Sequence, residues 1–408
     1  LNLAASTMGG DFSGTASTGD ISDSGNLAIT GAATFITTAD DRSIILDQSG
    51  SVFTSTVTMQ AGNGDNAAFN DITFVDSTDV NLHSSAASAG DLFIDATNNL
   101  AVGGDLSITA TNGHITQGAA LAITGAATFI TATTSKNIIL DQNNVFTTTV
   151  TMKAGTGGSL AFNNITFVDT NGVDLVSSTP SAGDLFIDAS TNLAVGGDLS
   201  ITATTGNITQ GGALDIEGVT TLVTLGQGAD IDLAANGTGN AFTGKLLITT
   251  TETSNANDAY ATIHGGTTDL KIGLSTIEGN LTLLSGGEIT DEGIATVEGT
   301  LTATTNQLHK IITLNQLAVT GALTLAPNGT GAVTIVNAVN LNLAASTMGG
   351  TFSGTATTGD ISDSGNLAIT GAATFITTAN NRSIILDQSG NAFTSTVTMQ
   401  AGNGSNAT

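Results

Sequence analysis

The sequence predicts an all-β chain that folds as a right-handed parallel β-helix, or β-solenoid, with about 23 residues per coil and roughly 18 coils. Three observations support this prediction. Long segments recur almost unchanged, short segments alternate apolar residues with Thr, Ser or Asp, and Gly, Asn and Asp separate these segments. We therefore interpret residues 1–408 as one continuous solenoid segment.

The longest repeat joins the two ends of the sequence. Residues 1–68 return as residues 341–408 with only eight positions changed. Between them, residues 20–113 and 114–206 form two similar blocks, and the pattern is looser over residues 207–340. Repeats that cannot bury an apolar face alone gain a core by stacking on their neighbours, so this nesting predicts coils piled on coils.

The most constant short element is the 24-residue segment Gly90–Gly113. It returns as Gly183–Gly206 with three positions changed. Each block divides into four such lines of about 23 residues, which is close to the coil lengths of solenoid repeats. The segment therefore predicts one coil of the stack rather than a binding motif.

The local pattern has the period of a strand. TVTM at 149–152 and DIDL at 230–233 alternate apolar with polar residues, which places one face inside and the other outside. This alternation predicts inward-facing side chains at equivalent places in successive coils. They comprise an aliphatic set, Ile138, Leu140, Leu185, Ile187, Ile231 and Leu233, and an aromatic set, Phe53, Phe146, Phe242 and Phe393.

Composition excludes some classes of function. The chain has 34 acidic and only seven basic residues, a net charge of −27, so it offers no basic surface for nucleic acid. It has no cysteine, and its 51 glycines and two prolines fit turns between strands better than helices. No stretch is apolar enough throughout to predict membrane insertion of this segment.

The repeats resemble those of filamentous haemagglutinin-like exoproteins, the large surface and secreted adhesins of Gram-negative bacteria. The motifs that carry the resemblance are SIILDQSGSVFTSTVTMQAG (43–62), DISDSGNLAITGAATFIT (20–37) and NLAVGGDLSITATNGHITQGAALAITG (99–125). The resemblance covers nearly the whole chain, more weakly over 230–287. It implies a right-handed parallel β-helix, export across the outer membrane, and a stalk or fibre at the cell surface.

Catalysis is a distant alternative, because some carbohydrate-active enzymes are also β-helices. Their sites need clustered carboxylates beside an Arg or Lys. Arg42 and Arg382 occupy the same repeat position, and Lys136 occupies the matching corner of the next block. A charge repeated along a fibre is typical of a structural corner, so the sequence predicts neither catalytic nor cofactor-binding residues.

The other candidate ligands are histidines and acidic corners. The four histidines, His83, His114, His264 and His309, lack a metal-ligand spacing, and we expect them to be surface or core residues. Calcium is possible at the acidic corners, because hard cations seek several oxygens. The residues concerned are Asp40, Asp41, Asp65, Asp71 and Asp76.

The leading hypothesis is a structural rod segment of a very long exported bacterial fibre or adhesin stalk, located outside the cell or on its surface. Its expected partners are other copies of itself or a cell or abiotic surface. The alternative is a self-assembling extracellular filament, sheath or surface-layer protein. If a binding site exists, we expect it where the pattern breaks, at Thr249–Gly266.

Overall fold

The structure is a computed structural model that describes residues 1–62, 71–82, 91–94, 100–155, 163–175, 184–187, 193–252 and 258–402. Two compact units divide the chain, Leu1–Thr204 (unit 1) and Thr205–Thr408 (unit 2). Each unit is a solenoid of parallel strands, and together they hold about 16 turns spaced about 22 residues apart. The all-β solenoid predicted from the sequence is confirmed.

Unit 1 consists of short strands joined by corners. In chain order the strands are β1 (Asn2–Leu3), β2 (Ser6–Met8), β3 (Phe12–Ala16), β4 (Ile21–Asp23), β5 (Leu27–Ile29), β6 (Ala33–Thr37), β7 (Ile44–Leu46), β8 (Val52–Phe53), β9 (Val57–Gln60), β10 (Ile72–Asp76), β11 (Val80–Leu82), β12 (Asp91–Ile94), β13 (Leu100–Val102), β14 (Leu106–Ala110), β15 (Ile115–Gln117), β16 (Leu121–Ile123), β17 (Ala127–Thr131), β18 (Ile138–Phe146), β19 (Val150–Ala154), β20 (Ile165–Asp169), β21 (Val173–Leu175), β22 (Asp184–Ile187), β23 (Leu193–Val195) and β24 (Leu199–Ala203).

Unit 2 has the same construction, with one 3₁₀ turn at Gly237–Gly239. Its strands are β25 (Ile208–Gln210), β26 (Leu214–Ile216), β27 (Thr220–Thr224), β28 (Ile231–Leu233), β29 (Ala241–Phe242), β30 (Leu246–Thr249), β31 (Ala261–His264), β32 (Leu270–Ile272), β33 (Ser275–Ile277), β34 (Leu281–Ser285), β35 (Ile289–Asp291), β36 (Ala295–Val297), β37 (Leu301–Thr305), β38 (Ile312–Val319), β39 (Ala322–Ala326), β40 (Val333–Asn337), β41 (Leu341–Leu343), β42 (Ser346–Met348), β43 (Phe352–Ala356), β44 (Ile361–Asp363), β45 (Leu367–Ile369), β46 (Ala373–Thr377), β47 (Ile384–Ile385), β48 (Ala392–Phe393) and β49 (Val397–Gln400).

Two parallel sheets form the walls of unit 1. Sheet 1A contains β1, β4, β7, β10, β14, β17, β19, β21 and β22. Sheet 1B contains β3, β6, β9, β11, β12, β15, β18, β20 and β24. Short strands at the edge join the walls, as in the three-stranded sheet β2–β5–β8.

Unit 2 repeats this plan. Sheet 2A contains β25, β28, β31, β34, β37, β39, β41, β44 and β47. Sheet 2B contains β27, β30, β32, β33, β35, β36, β38, β40, β43, β46 and β49. The short strands β42, β45 and β48 form an edge sheet of their own.

The core lies between the walls because every second side chain points inward. Strands such as β14 and β24 alternate buried and partly exposed residues along their length. The predicted inward residues Ile138, Leu140, Ile231 and Leu233 are fully buried, which confirms that part of the aliphatic set. The strand that carries Leu185 and Ile187 is described, but its side chains lie outside the described part of the structure.

Phenylalanines stack from turn to turn inside the core. The ring centroids of Phe35 and Phe53 lie 6.3 Å apart, and those of Phe53 and Phe74 lie 5.2 Å apart. The predicted aromatic positions Phe53, Phe146 and Phe242 are buried at the short edge strands, which confirms them. Phe393, in the last described turn, is only partly buried.

The predicted equivalence of Ile138 and Leu185 is wrong. Ile138 belongs to sheet 1B, where it pairs with Ile115 and Ile165, whereas Leu185 belongs to sheet 1A, where it pairs with Val150. The two blocks therefore occupy opposite walls. The same is true of the identical ATFIT strands, because β6 lies in sheet 1B and β17 in sheet 1A.

This exchange of walls has a simple geometric cause. From β6 to β17 the chain crosses between the walls seven times, through β7, β9, β10, β11, β14, β15 and β17. Seven crossings make three and a half turns, not the four coils that the line length of about 23 residues predicts. Each block thus returns half a turn out of phase, and the total falls below the expected 18 coils.

The missing half turn arises where the constant segment Gly90–Gly113 begins. Its strand β12 lies between β9 and β11 in sheet 1B, although it follows β11 in the chain. In the second block β22 lies in the same way between β19 and β21 in sheet 1A. The turn from Ile72 to its partner Leu106 consequently takes 34 residues, whereas Leu281 and Leu301 are 20 residues apart.

Candidate functional site

Recurring corners between strands hold hydrogen-bonded polar side chains, and these corners are the candidate functional sites. At one recurring corner, a buried Thr closes a five-residue loop. Thr37 Oγ1 donates to the carbonyl of Arg42 at 3.1 Å and accepts the N–H of Gly62, in the next turn, at 2.7 Å. Asp41 adopts a left-handed conformation there, with φ of 55°.

This Thr corner recurs in both units. Thr131 donates to Lys136 and accepts the N–H of Gly155, with Ser135 in the left-handed conformation. In unit 2, Thr305 donates to the carbonyl of Lys310 at 3.4 Å. The fifth residue after the Thr is basic at four corners, Arg42, Lys136, Lys310 and Arg382, so four of the seven cations occupy one structural position.

A second corner position uses Asp and Asn to connect successive turns. Asp71 Oδ1 accepts the backbone N–H of Asp105 at 2.9 Å, and Asp105 Oδ1 accepts that of Ala126 at 2.7 Å. Each side chain thus satisfies a donor of the next turn that the parallel ladder leaves free. Unit 2 has the same kind of bond at five places. The N–H of Asp230 donates to Asn207, that of Tyr260 to Asp230, that of Thr300 to Asn280, that of Asp360 to Asn340, and that of Ser383 to Asp360.

A third position buries an acid or an amide at the end of a strand. Asp23 and its repeat copy Asp363 each accept a backbone N–H through Oδ1, from Asp47 and Asp387, both at 3.0 Å. Burial is the main cause that raises the pKa of Asp23. Its Oδ2 is buried without a hydrogen-bond partner, whereas Oδ2 of Asp363 accepts from Asn391 Nδ2 at 2.6 Å.

The acids proposed for calcium are not gathered at one point. Asp40 and Asp41 lie at the Thr corner, Asp71 binds the next turn, and Asp76 is fully buried. Asp65 lies outside the described residues. Among the residues that the structure describes, no group of three or more His, Asp or Glu is arranged to hold a metal ion.

The described histidines take part in corner hydrogen bonds. His114 Nδ1 accepts the N–H of Asn137 at 3.0 Å, and His309 Nδ1 lies 2.7 Å from Thr330 Oγ1. His264 is buried, which lowers its pKa, and its Nδ1 accepts the N–H of Gly266. His83 lies outside the described residues.

The pattern break at Thr249–Gly266 contains an acidic pair, Glu252 and Asp258, and residues 253–257 between them are not described. A side-chain hydrogen bond to Glu252 is the main cause that raises the pKa of Asp258. Burial, followed by the charges of Glu298 and Glu252, raises the pKa of Glu278. The break therefore concentrates negative charge.

A shallow cleft lies beside this break. Its lining includes Phe242, Thr243, Asp269 and Lys271. Lys271 Nζ donates to the carbonyl of Thr243 at 3.3 Å, and Asp269 Oδ1 accepts the N–H of Glu288 at 2.8 Å. Both charged groups thus already stabilise the turns, and the cleft offers no convergent set of free ligands.

The outward face of sheet 2B carries a column of hydroxyl groups. In successive turns, each hydroxyl residue lies in register with the next. The column consists of Thr290, Thr313, Thr334, Ser353, Thr374 and Thr398. This part of the wall is therefore neutral and polar. No helix among the described residues is long and apolar enough to cross a membrane.

Comparison with known proteins identifies one family. A family model described as repeats of unknown function (DUF5649) matches residues 1–60, 70–153, 162–249, 256–326 and 330–400. No curated protein and no solved structure shows a significant match. Since the matches cover most of its length, the chain belongs to this repeat family.

Proposed function

We propose that this member of the DUF5649 repeat family is a structural segment of a very long exported bacterial surface fibre or adhesin stalk, without catalytic activity. The observation that carries the proposal is the use of the polar corners. The Asp, Asn and Thr side chains described above bind the backbone of a neighbouring turn rather than converging on a cleft. Such groups stabilise stacking, which is the property that an extended support needs.

The distribution of charge supports the same function. Four of the seven cations repeat at the Thr corner, and one of them, Arg42, forms a loose ion pair with Asp20 at 3.9 Å. A charge that recurs with the repeat has the same surroundings at every corner, whereas a catalytic centre needs one set of side chains that converge on a substrate. The resemblance to filamentous haemagglutinin-like repeats supports a location outside the cell.

Immunogold electron microscopy of the cells that make the protein tests this proposal. Antibody against the chain should label thin fibres projecting from intact cells, and external protease should remove the label. Label confined to the cell interior would contradict the surface location. Cleavage of polysaccharides by the purified chain, lost after exchange of a single carboxylate, would contradict the absence of catalysis.

A further inference from the structure

Three five-residue strands end on a fully buried acid or amide. Asp76 is the fifth residue of β10, Asp169 is the fifth residue of β20, and Asn337 is the fifth residue of β40. All three side chains have zero exposure. The chain therefore uses an acid twice and an amide once for one structural task.

Asn337 shows what the position requires. Its Oδ1 accepts the N–H of Val319 at 2.8 Å, in the edge segment of the adjacent turn. Its Nδ2 donates to the carbonyl groups of Val319 and Asn340, at 2.8 and 2.6 Å. The position therefore has both a backbone donor and backbone acceptors, and the amide satisfies each of them.

When they are ionised, the two acids can accept from the backbone donor at this position but cannot donate to the backbone acceptors. Asp76 Oδ1 accepts the N–H groups of Phe53 and Thr78 at 3.4 and 3.2 Å, and Asp169 Oδ1 accepts that of Asn171 at 3.3 Å. Oδ2 of each acid is buried without a hydrogen-bond partner. A carboxylate is only an acceptor, whereas a protonated carboxylic acid has one donor, like the amide.

The neighbours of Asp76 are apolar. The strands around it, β7, β8 and β14, contain no titratable residue. The closest acids in sequence are Asp79 and Asp71, and Asp47 follows the paired strand β7. Burial is the main cause that raises the pKa of Asp76 to about 6. The backbone hydrogen bonds of Phe53 and Thr78 act in the opposite direction and are too weak to offset it.

Asp169 has similar surroundings. Its partner strand β18 contributes the exposed Asp141, its other partner β24 contributes no titratable group, and Asp174 lies on the following strand β21. Burial raises the pKa of Asp169 to about 6 as well. Neither acid has a basic side chain among the causes of its shift.

We propose that Asp76 and Asp169 act as neutral carboxylic acids in place of an amide, and that their ionisation makes unit 1 a pH-sensitive part of the solenoid. In the protonated form, Oδ2–H donates to a backbone carbonyl as Asn337 Nδ2 does. In the ionised form, a buried charge has no donor to stabilise it. Unit 1 is then more stable in mildly acidic surroundings than at neutral pH.

The direction in which stability changes with pH follows from proton linkage. The folded chain binds these two protons more tightly than the unfolded chain, in which an Asp has its ordinary pKa of 3.8. The stabilisation is complete below that value and is lost as the pH rises to about 6. The contribution should level off only about one pH unit above the folded pKa, near pH 7.

Urea unfolding of the full chain between pH 4.5 and 7.5 tests the proposal, with Asp76→Asn, Asp169→Asn and the double variant. We expect the midpoint of the parent to fall as the pH rises to about 6. The double variant should have a flatter profile and a higher midpoint at pH 7.5. Infrared spectra at pH 5 should show a protonated-carboxyl band that is weaker in the double variant than in the parent.

The reciprocal variant is Asn337→Asp. It should introduce a new fall in midpoint between pH 4.5 and 6.5, even though no other group changes. A parent profile identical to that of the double variant, or loss of stability at pH 7.5 in both single Asn variants, would overturn the proposal. The infrared comparison keeps the test decisive if one variant folds poorly, because the band must still be weaker in the other single variant than in the parent.

Discussion

Asp23 and Asp363 are repeat copies whose side-chain hydrogen bonds differ. Asn391 donates to Oδ2 of Asp363, whereas position 51, the copy of position 391, is Ser, and Oδ2 of Asp23 has no partner. Ser51 Oγ accepts the N–H of Leu27 at 3.1 Å, and Asn391 Oδ1 accepts that of Leu367 at 2.8 Å. Asn391 therefore makes the same backbone hydrogen bond as Ser51 and, in addition, donates to the aspartate.

Ser51→Asn should stabilise the chain at neutral pH by about 1 kcal/mol, because it gives the carboxylate of Asp23 a donor. Asn fits a covered corner of this kind, since Asn144 accepts the N–H of Leu121 while fully buried. Denaturant unfolding at pH 7 measures the change. The reciprocal variant Asn391→Ser should destabilise, and a Ser51→Asn chain that is less stable than the parent would contradict the argument.

At the scale of the corner, the closeness of successive turns determines which residues fit. A Cβ on Gly350 would lie 2.4 Å from the carbonyl oxygens of Gly331 and Thr330, whereas the nearest atoms to a Cβ on Gly265 would be side-chain atoms, at 3.2 Å or more. The backbone of an adjacent turn therefore excludes a side chain at Gly350, while neighbouring side chains can adjust at Gly265.

Gly350→Ala should therefore cost about 1–3 kcal/mol of stability, because backbone on two turns must move apart. Gly265→Ala is the control, and it should cost less because only side chains need to move. Thermal or urea unfolding of both variants measures the difference. Equal effects would contradict the close contact at Gly350.

The strand period and the corner chemistry were accessible from the sequence, whereas the order of stacking was not. Alternation at Ile138 and Leu140 predicts burial, because a period of two is a local property. The position of β12 between β9 and β11 is not local, since nothing in the DLFI segment states which strand it will join. Counting residues per line therefore overestimated the number of coils.

The candidate sites show the same contrast between features that recur locally and features that depend on how the turns stack. Sequence reasoning found the corner cations at Arg42, Lys136 and Arg382, because they recur with the repeat. It treated Asp76 as a candidate calcium ligand, whereas the structure buries this residue between apolar strands. The available signal was the match of ITFVD at 72–76 with VTIVN at 333–337, which exchanges an acid for an amide at one position.

At the scale of the whole molecule, the imbalance of charge is the dominant electrostatic property. Thirty-four acids outnumber seven cations, so most of the acidic side chains have no basic side chain with which to pair. Repulsion among the acids opposes the folded state more than the unfolded one, because folding brings the charges closer together. Salt screens this repulsion over distances of about 10 Å at 0.1 M.

Raising NaCl from about 10 to 150 mM should therefore raise the thermal midpoint of the chain at pH 7.5. Calcium is the informative comparison, because screening depends on ionic strength and a binding site depends on the ion. CaCl₂ and MgCl₂ at matched ionic strength should act alike if the acidic corners only repel each other. A midpoint that rises further with Ca²⁺ alone, and returns on chelation, would instead establish a calcium site at those corners. A midpoint that falls with added NaCl would mean that attraction outweighs repulsion, and the electrostatic argument would then be wrong.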